Sequence, residues 1–190
     1  MPISVASPRR APRIAPALRA LVRATLALQD RKPGEIAVVL TDDATIRDLN
    51  LRYRSLDRAT DVLSFGYDEE PWPRTGKRAA RAGARVLSAA GASGAAGGGS
   101  GPAARARTAP VSGDIVISLD RVRVQARRYR ATKGRELARL VIHGALHLAG
   151  LEHRTRAQRL RMRREEARVL RASAAHVSGL ERALGVPVTR

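Results

Sequence analysis

Apolar side chains recur every three or four residues over 15–28 (Leu18, Leu21, Val22, Leu26), the spacing of a helix that buries one face. Pro33-Gly34 then breaks the period, and the continuous apolar run 36–40 behind it predicts a buried strand. Asp42 or Asp43 stands where the next helix needs a cap, and that helix carries Ile46 and Leu49 on one face. Two further runs, TDVLSFGY over 60–67 and DIVISL over 114–119, predict a second and a third strand. From there the period is helical again, over 121–130, 135–149, 156–170 and 174–184. Strands early and helices late predict an α+β fold, a small mixed sheet packed by helices.

One stretch follows neither period. Positions 71–113 hold no acidic residue, seven basic ones and nine of the sixteen glycines, with GASGAAGGGSG at the centre. Such a composition buries too little apolar surface to offset the entropy of ordering. The pattern therefore predicts one domain over 1–190 with a Gly/Ala/Arg-rich disordered insertion at 71–113, centred on 76–109. Long insertions cost a folded domain little, so this one needs no function, though its cations add phosphate attraction.

Charge narrows the choice of partner. The net charge is +19, and only three of the 36 basic residues are lysines (Lys32, Lys77, Lys133). With alanine also abundant, part of this is what a GC-rich genome imposes through its codons. Acidic residues have not risen to balance it, so a polyanion, nucleic acid first, is the expected partner. No run of eighteen apolar residues exists to span a bilayer, and no helix joins a basic face to large apolar anchors, so no membrane partner is expected. The opening MPISVASPRRAPRIAP lacks the apolar core of a secretory leader and there is no cysteine, which predicts a cytoplasmic protein.

Three of the four histidines fall in one run, HGALHLAGLEH, over 143–153. His143 and His147 are four apart, so on a helix their imidazoles project from one face, a turn apart. Gly150 can take the left-handed conformation that ends a helix, and the returning chain brings His153 to the same point. Three neutral imidazoles with one position left open is the layout of a catalytic zinc site, whereas structural zinc sites usually close with cysteines. The spacing also matches the zinc-protease helix of the metzincins, in which a glutamate follows the first histidine as general base. Here that position is Gly144, so the ligand geometry is expected to persist without the peptidase chemistry.

These residues resemble a known family. HGALHLAGLEH is similar to the H-G-x-L-H-L-x-G-[YF]-D-H signature of the YbeY endoribonucleases, bacterial rRNA maturation factors. NLRYRSLDRATDVLSF over 50–65 resembles that family's N-x-x-Y-R-x-x-D-x-x-T-[DN]-V-L-S-F block, and GDIVIS over 113–118 its G-D-I-x-I-[SC] strand. The likeness runs over about 36–170, interrupted by an insertion that the family pattern lacks at this length. Leu151 replaces an aromatic residue, Glu152 an aspartate, and Gly66 the usual proline.

The resemblance implies a zinc-dependent, single-strand-specific endoribonuclease of the 16S rRNA 3′ end and of ribosome quality control. It implies one Zn²⁺ per chain on His143, His147 and His153, with ribosomal RNA, the small ribosomal subunit and its assembly factors as partners. It also places the family's essential arginine at Arg54, so that Arg54 and His143 are the expected catalytic residues. A metal-activated water would attack phosphorus or deprotonate a 2′-hydroxyl, and Arg54 would offer a planar fork to a phosphate oxygen. The blander role for Arg54 is an ion pair with Asp57 or Asp61. Asp61 and Ser64 suit capping or packing as well as function, and His176, outside the run, reads as a surface histidine. Two other classes fit the same residues: a noncatalytic zinc-containing rRNA-binding assembly factor, and a metallohydrolase of a non-RNA substrate.

Overall fold

The protein is seen in a computed structural model that describes residues 3–7, 11–67 and 109–184. Along the chain come β1 (Ile3–Ala6), α1 (Ala11–Leu28), β2 (Pro33–Thr41), α2 (Asp43–Arg54), β3 (Val62–Gly66) and β4 (Val111–Ser118). Four helices follow: α3 (Leu119–Arg128), α4 (Lys133–Leu148), α5 (Arg156–Ala172) and α6 (Ala174–Ala183). The strands form one mixed sheet in the order β1-β2-β4-β3. β1, β2 and β4 run parallel, and β3 closes the edge antiparallel to β4. The α+β architecture agrees with the sequence pattern.

Two corrections concern strands. β1 was not expected, because four residues carry no usable alternation; its strand state comes from parallel pairing with β2, Ile3 opposite Ile36. β4 starts at Val111 rather than at position 114, so the insertion expected over 71–113 is three residues too long at its end. Val111 N–H donates to the Lys32 carbonyl at 2.8 Å, and Gly113 pairs with Ile36 on one side and Gly66 on the other. Gly113 is a packing glycine: a Cβ there would lie 2.3 Å from the Phe65 carbonyl oxygen and 2.8 Å from Leu148 Cδ2. Positions 71–108 of the expected insertion lie outside the described residues.

The sheet separates two apolar clusters. Ile36, Val38, Leu40, Ile115 and Ile117 face α1, α4 and α6 in the main core. Val116 and Leu63, with Val39 and Phe65 beside them, meet Ile46 and Leu49 of α2 on the opposite side. Position of the functional helix follows from this, since α4 buries Leu137, Leu140, Val141, Ile142, Ala145 and Leu146 almost completely. Each large side chain so buried contributes about 1.5–3 kcal/mol, which pins α4 as the central helix. Its start is capped by Thr132, whose hydroxyl accepts from Arg135 N–H at 3.0 Å. At α2 the cap is Asp42, accepting from Thr45 N–H at 2.8 Å. Asp43 instead accepts from the Ser118 hydroxyl at 2.6 Å, tying α2 to the end of β4.

Candidate metal centre

The last two turns of α4 carry His143 and His147, and their ring centroids lie 4.7 Å apart. The helix ends at Gly150, which has φ +94. Gly150 N–H donates to the His147 carbonyl at 2.8 Å and Leu151 N–H to the Leu146 carbonyl at 3.0 Å, the paired bonds of a Schellman ending. Leu151, 8% exposed, packs into the same core as Leu146, the apolar contact that accompanies this motif. Leu151 thus fills with an aliphatic side chain the place where the resemblance expects an aromatic one. The chain thus turns back and sets the His153 ring 5.3 Å from that of His143 and 4.8 Å from that of His147.

One ligand atom from each of the three imidazoles lies within 4.8 Å of the others. The Nε2 atoms of His143 and His147 are 3.1 Å apart. Two ligands at about 2.0–2.1 Å from a tetrahedral zinc stand about 3.3 Å apart, so this pair has the required spacing. His153 is exposed, the other two partly buried. Burial first, and then the neighbouring His143 and His153, push the His147 pKa down to about 4, against a raising influence from Glu152. His147 is therefore neutral at pH 7, the state in which imidazole ligates a metal. Three imidazoles converging on one point, with His147 held neutral, fit a zinc ion.

Sequence reading missed Glu166. It projects from α5, and its Oε1 lies 2.6 Å from His143 Nδ1, with both side chains largely buried. A carboxylate there accepts the Nδ1 proton and leaves Nε2 free to ligate. One signal was available: Glu165 and Glu166 are the only acidic residues in a helix crowded with arginine. Glu165 is spent elsewhere, accepting from Gln29 at 2.7 Å and pairing with Arg168.

A polar chain extends from this point. Arg139, one turn before His143 on α4, pairs with buried Glu136 at 2.7 Å and donates to Gln125 at 3.1 Å. Gln125 in turn donates to Asp61 at 3.0 Å. Burial opposes the Arg139 charge, but Glu136 and the fields of Glu166 and Asp61 outweigh it and hold the guanidinium protonated. Asp61 also accepts from Val62 N–H at 3.0 Å, capping the start of β3.

Arg54 is the last residue of α2, just before Ser55 in the left-handed conformation. α2 packs on the face of the sheet opposite α4, and no hydrogen bond or ion pair joins Arg54 to the histidines among the described residues. Its neighbour Tyr53 packs on Phe65 of β3 at 5.0 Å. Both carboxylates expected as its blander partners are engaged: Asp57 by Arg47 at 2.6 Å and 2.7 Å, and Asp61 by Gln125. Arg54 itself is exposed and forms no ion pair among the described residues. Glu152, also exposed, pairs with Arg154 at 3.3 Å, and His176 is an exposed residue of α6, as expected.

Over residues 9–174 the chain matches the family model described as Endoribonuclease YbeY. It belongs to the YbeY family. Among its relatives, Endoribonuclease YbeY of Roseiflexus castenholzii is 38% identical over 64% of this chain and 58% of its own length. The Anaeromyxobacter protein of the same name is 37% identical over 76% and 57%, respectively, and that of Desulforamulus reducens 32% identical over 77% of each. The alignments thus span under two thirds of the first two of these YbeY relatives. The solution structure of TM1509 from Thermotoga maritima, at 21% identity, shares the fold with a TM-score of 0.51 over 92% of this chain and 93% of that one. No described helix is long and apolar enough to cross a membrane.

Proposed function

We propose that this chain is a zinc-dependent endoribonuclease that cuts single-stranded RNA. Its cytoplasmic task is maturation of the 16S rRNA 3′ end and quality control of ribosomes, on the small ribosomal subunit and among its assembly factors. The observation that carries the reading is the convergence of three imidazoles, one of them oriented by a buried carboxylate, in a chain of the YbeY family. His143, His147 and His153 would hold one Zn²⁺, which would supply Lewis acidity at the site. Glu166 holds the His143 ring in its ligating tautomer. Arg54 is uncommitted among the described residues, so its fork is free to take two oxygens of a phosphate as charge grows there.

The geometry speaks against a peptidase. Gly144 lies against Ile115 and Ser64, so the glutamate that a zinc protease uses at this place has no room.

The test compares wild type, His143→Ala and Arg54→Lys on purified rRNA and a short single-stranded RNA, with and without chelator. Chelation and His143→Ala should abolish cleavage. Arg54→Lys keeps the charge and loses the fork, so the rate should fall about 10- to 1000-fold with zinc content and melting temperature unchanged. Cleavage indifferent to all three would belong to a contaminant and would sink the proposal.

A further inference from the structure

The turn between α3 and α4 is a second basic centre, separate from the histidines. No acidic residue occurs from Arg121 to Arg135, while seven basic ones do. Arg121 and Arg123 are paired with Asp43 and Asp120. Arg127, Arg128, Arg130, Lys133 and Arg135 are all exposed and form no ion pair among the described residues. At their centre stands Tyr129, 60% exposed, with the Arg128 guanidinium 5.8 Å from the ring centroid. The chain has only five aromatic residues, and Tyr129 is the most exposed of those among the described residues. Arg127 and Arg128 also face the negative end of α3, which accounts for their charge but not for the exposed ring.

We propose that this RRYR turn is a docking site for single-stranded RNA, in which a base stacks on Tyr129 and flanking phosphates are gripped by Arg127, Arg128 and Arg130. It rests on the endoribonuclease reading and adds where the strand is held. Stacking on an aromatic ring suits every base, and guanidinium forks match phosphate oxygens. Position supports it too. Lys133 opens α4 ten residues before His143, which at 1.5 Å per residue puts the turn about 15 Å from the metal ligands along one rigid helix. A membrane surface is disfavoured because Val124 is the turn's one exposed aliphatic neighbour, too little to anchor in lipid.

The experiment measures fluorescence anisotropy of a labelled single-stranded oligoribonucleotide with the full chain, in chelator to stop cleavage, over a range of salt. Tyr129→Ala should weaken binding about 5- to 100-fold, and Tyr129→Phe, which keeps the ring, should restore it. The double variant Arg127→Ala/Arg128→Ala should lower the slope of log affinity against log salt by about 1.4. Arg182→Ala on α6, the control, should leave it unchanged. If Tyr129→Ala and the arginine pair behave like Arg182→Ala while wild type still cleaves, the docking site is wrong and the nuclease reading stands. If binding depends on Tyr129 but wild type never cleaves, the nuclease reading fails and the docking site stands. Loss of binding to phosphatidylserine vesicles in Tyr129→Ala, with RNA affinity intact, would assign the turn to membranes and overturn the proposal.

Discussion

A side chain at position 144 has nowhere to go: its Cβ would lie 2.6 Å from Ile115 Cγ2 and 3.0 Å from Ser64 Oγ. The sequence shows only that a protease's glutamate is missing there; the structure supplies the reason, which is the close seat of α4 on β3 and β4. Gly144→Glu should cost about 1–3 kcal/mol by overpacking, measurable by denaturant titration, and should create no peptidase activity. A variant as stable as wild type would show that α4 stands further off the sheet. The histidines were legible from sequence because their spacing is local to one helix and its ending. Glu166 was not, because which residue of α5 meets His143 depends on how two helices pack, and no period in the chain encodes that. Glu166→Ala should weaken zinc binding about 10- to 100-fold, read by competition with a chromophoric chelator, while circular dichroism stays unchanged. Undiminished affinity would reduce Glu166 to a packing residue.

At the scale of elements, the site depends on how α4 stops. The space around Gly150 is open, with nothing within 4 Å of where a Cβ would stand, so only its φ of +94 demands glycine. Gly150→Ala therefore isolates backbone strain from packing, and should cost about 1–2 kcal/mol while moving His153 off its partners. The variant should lose zinc affinity, whereas Ala149→Gly, next to it, should not. Equal affinities would mean that His153 finds the metal without the turn. The capping box at the start of α5, where Thr155 and Gln158 exchange hydrogen bonds, fixes the other end of the same loop. Both devices can be read from sequence, as a glycine after a helical run and a Thr-x-x-Gln before one. Strand limits were less legible. β1 and the first three residues of β4 owe their state to partners distant in sequence, and Gly113 looks like loop composition until Phe65 and Leu148 are seen against it.

At the scale of the molecule, the question is whether the metal holds the fold or only works in it. The main core joins the sheet to α1, α4, α5 and α6 through side chains that are almost wholly buried, whereas His143 and His147 are only partly buried. His143 and His147 sit at the outer end of α4, and His153 is exposed on the loop beyond. A fold organised by zinc has its ligands where the core should be and unfolds without the ion; here the core is complete beside the site. Chelation should therefore abolish cleavage and yet leave far-UV circular dichroism intact. Stabilisation lost with a bound ligand is about 2.7 kcal/mol at a hundredfold excess over Kd, so the melting temperature should fall by several degrees and no more. Refilling with zinc should restore both activity and melting temperature. Collapse of the circular dichroism signal on chelation would make the zinc structural, and would move the balance from a nuclease to an RNA-binding assembly factor.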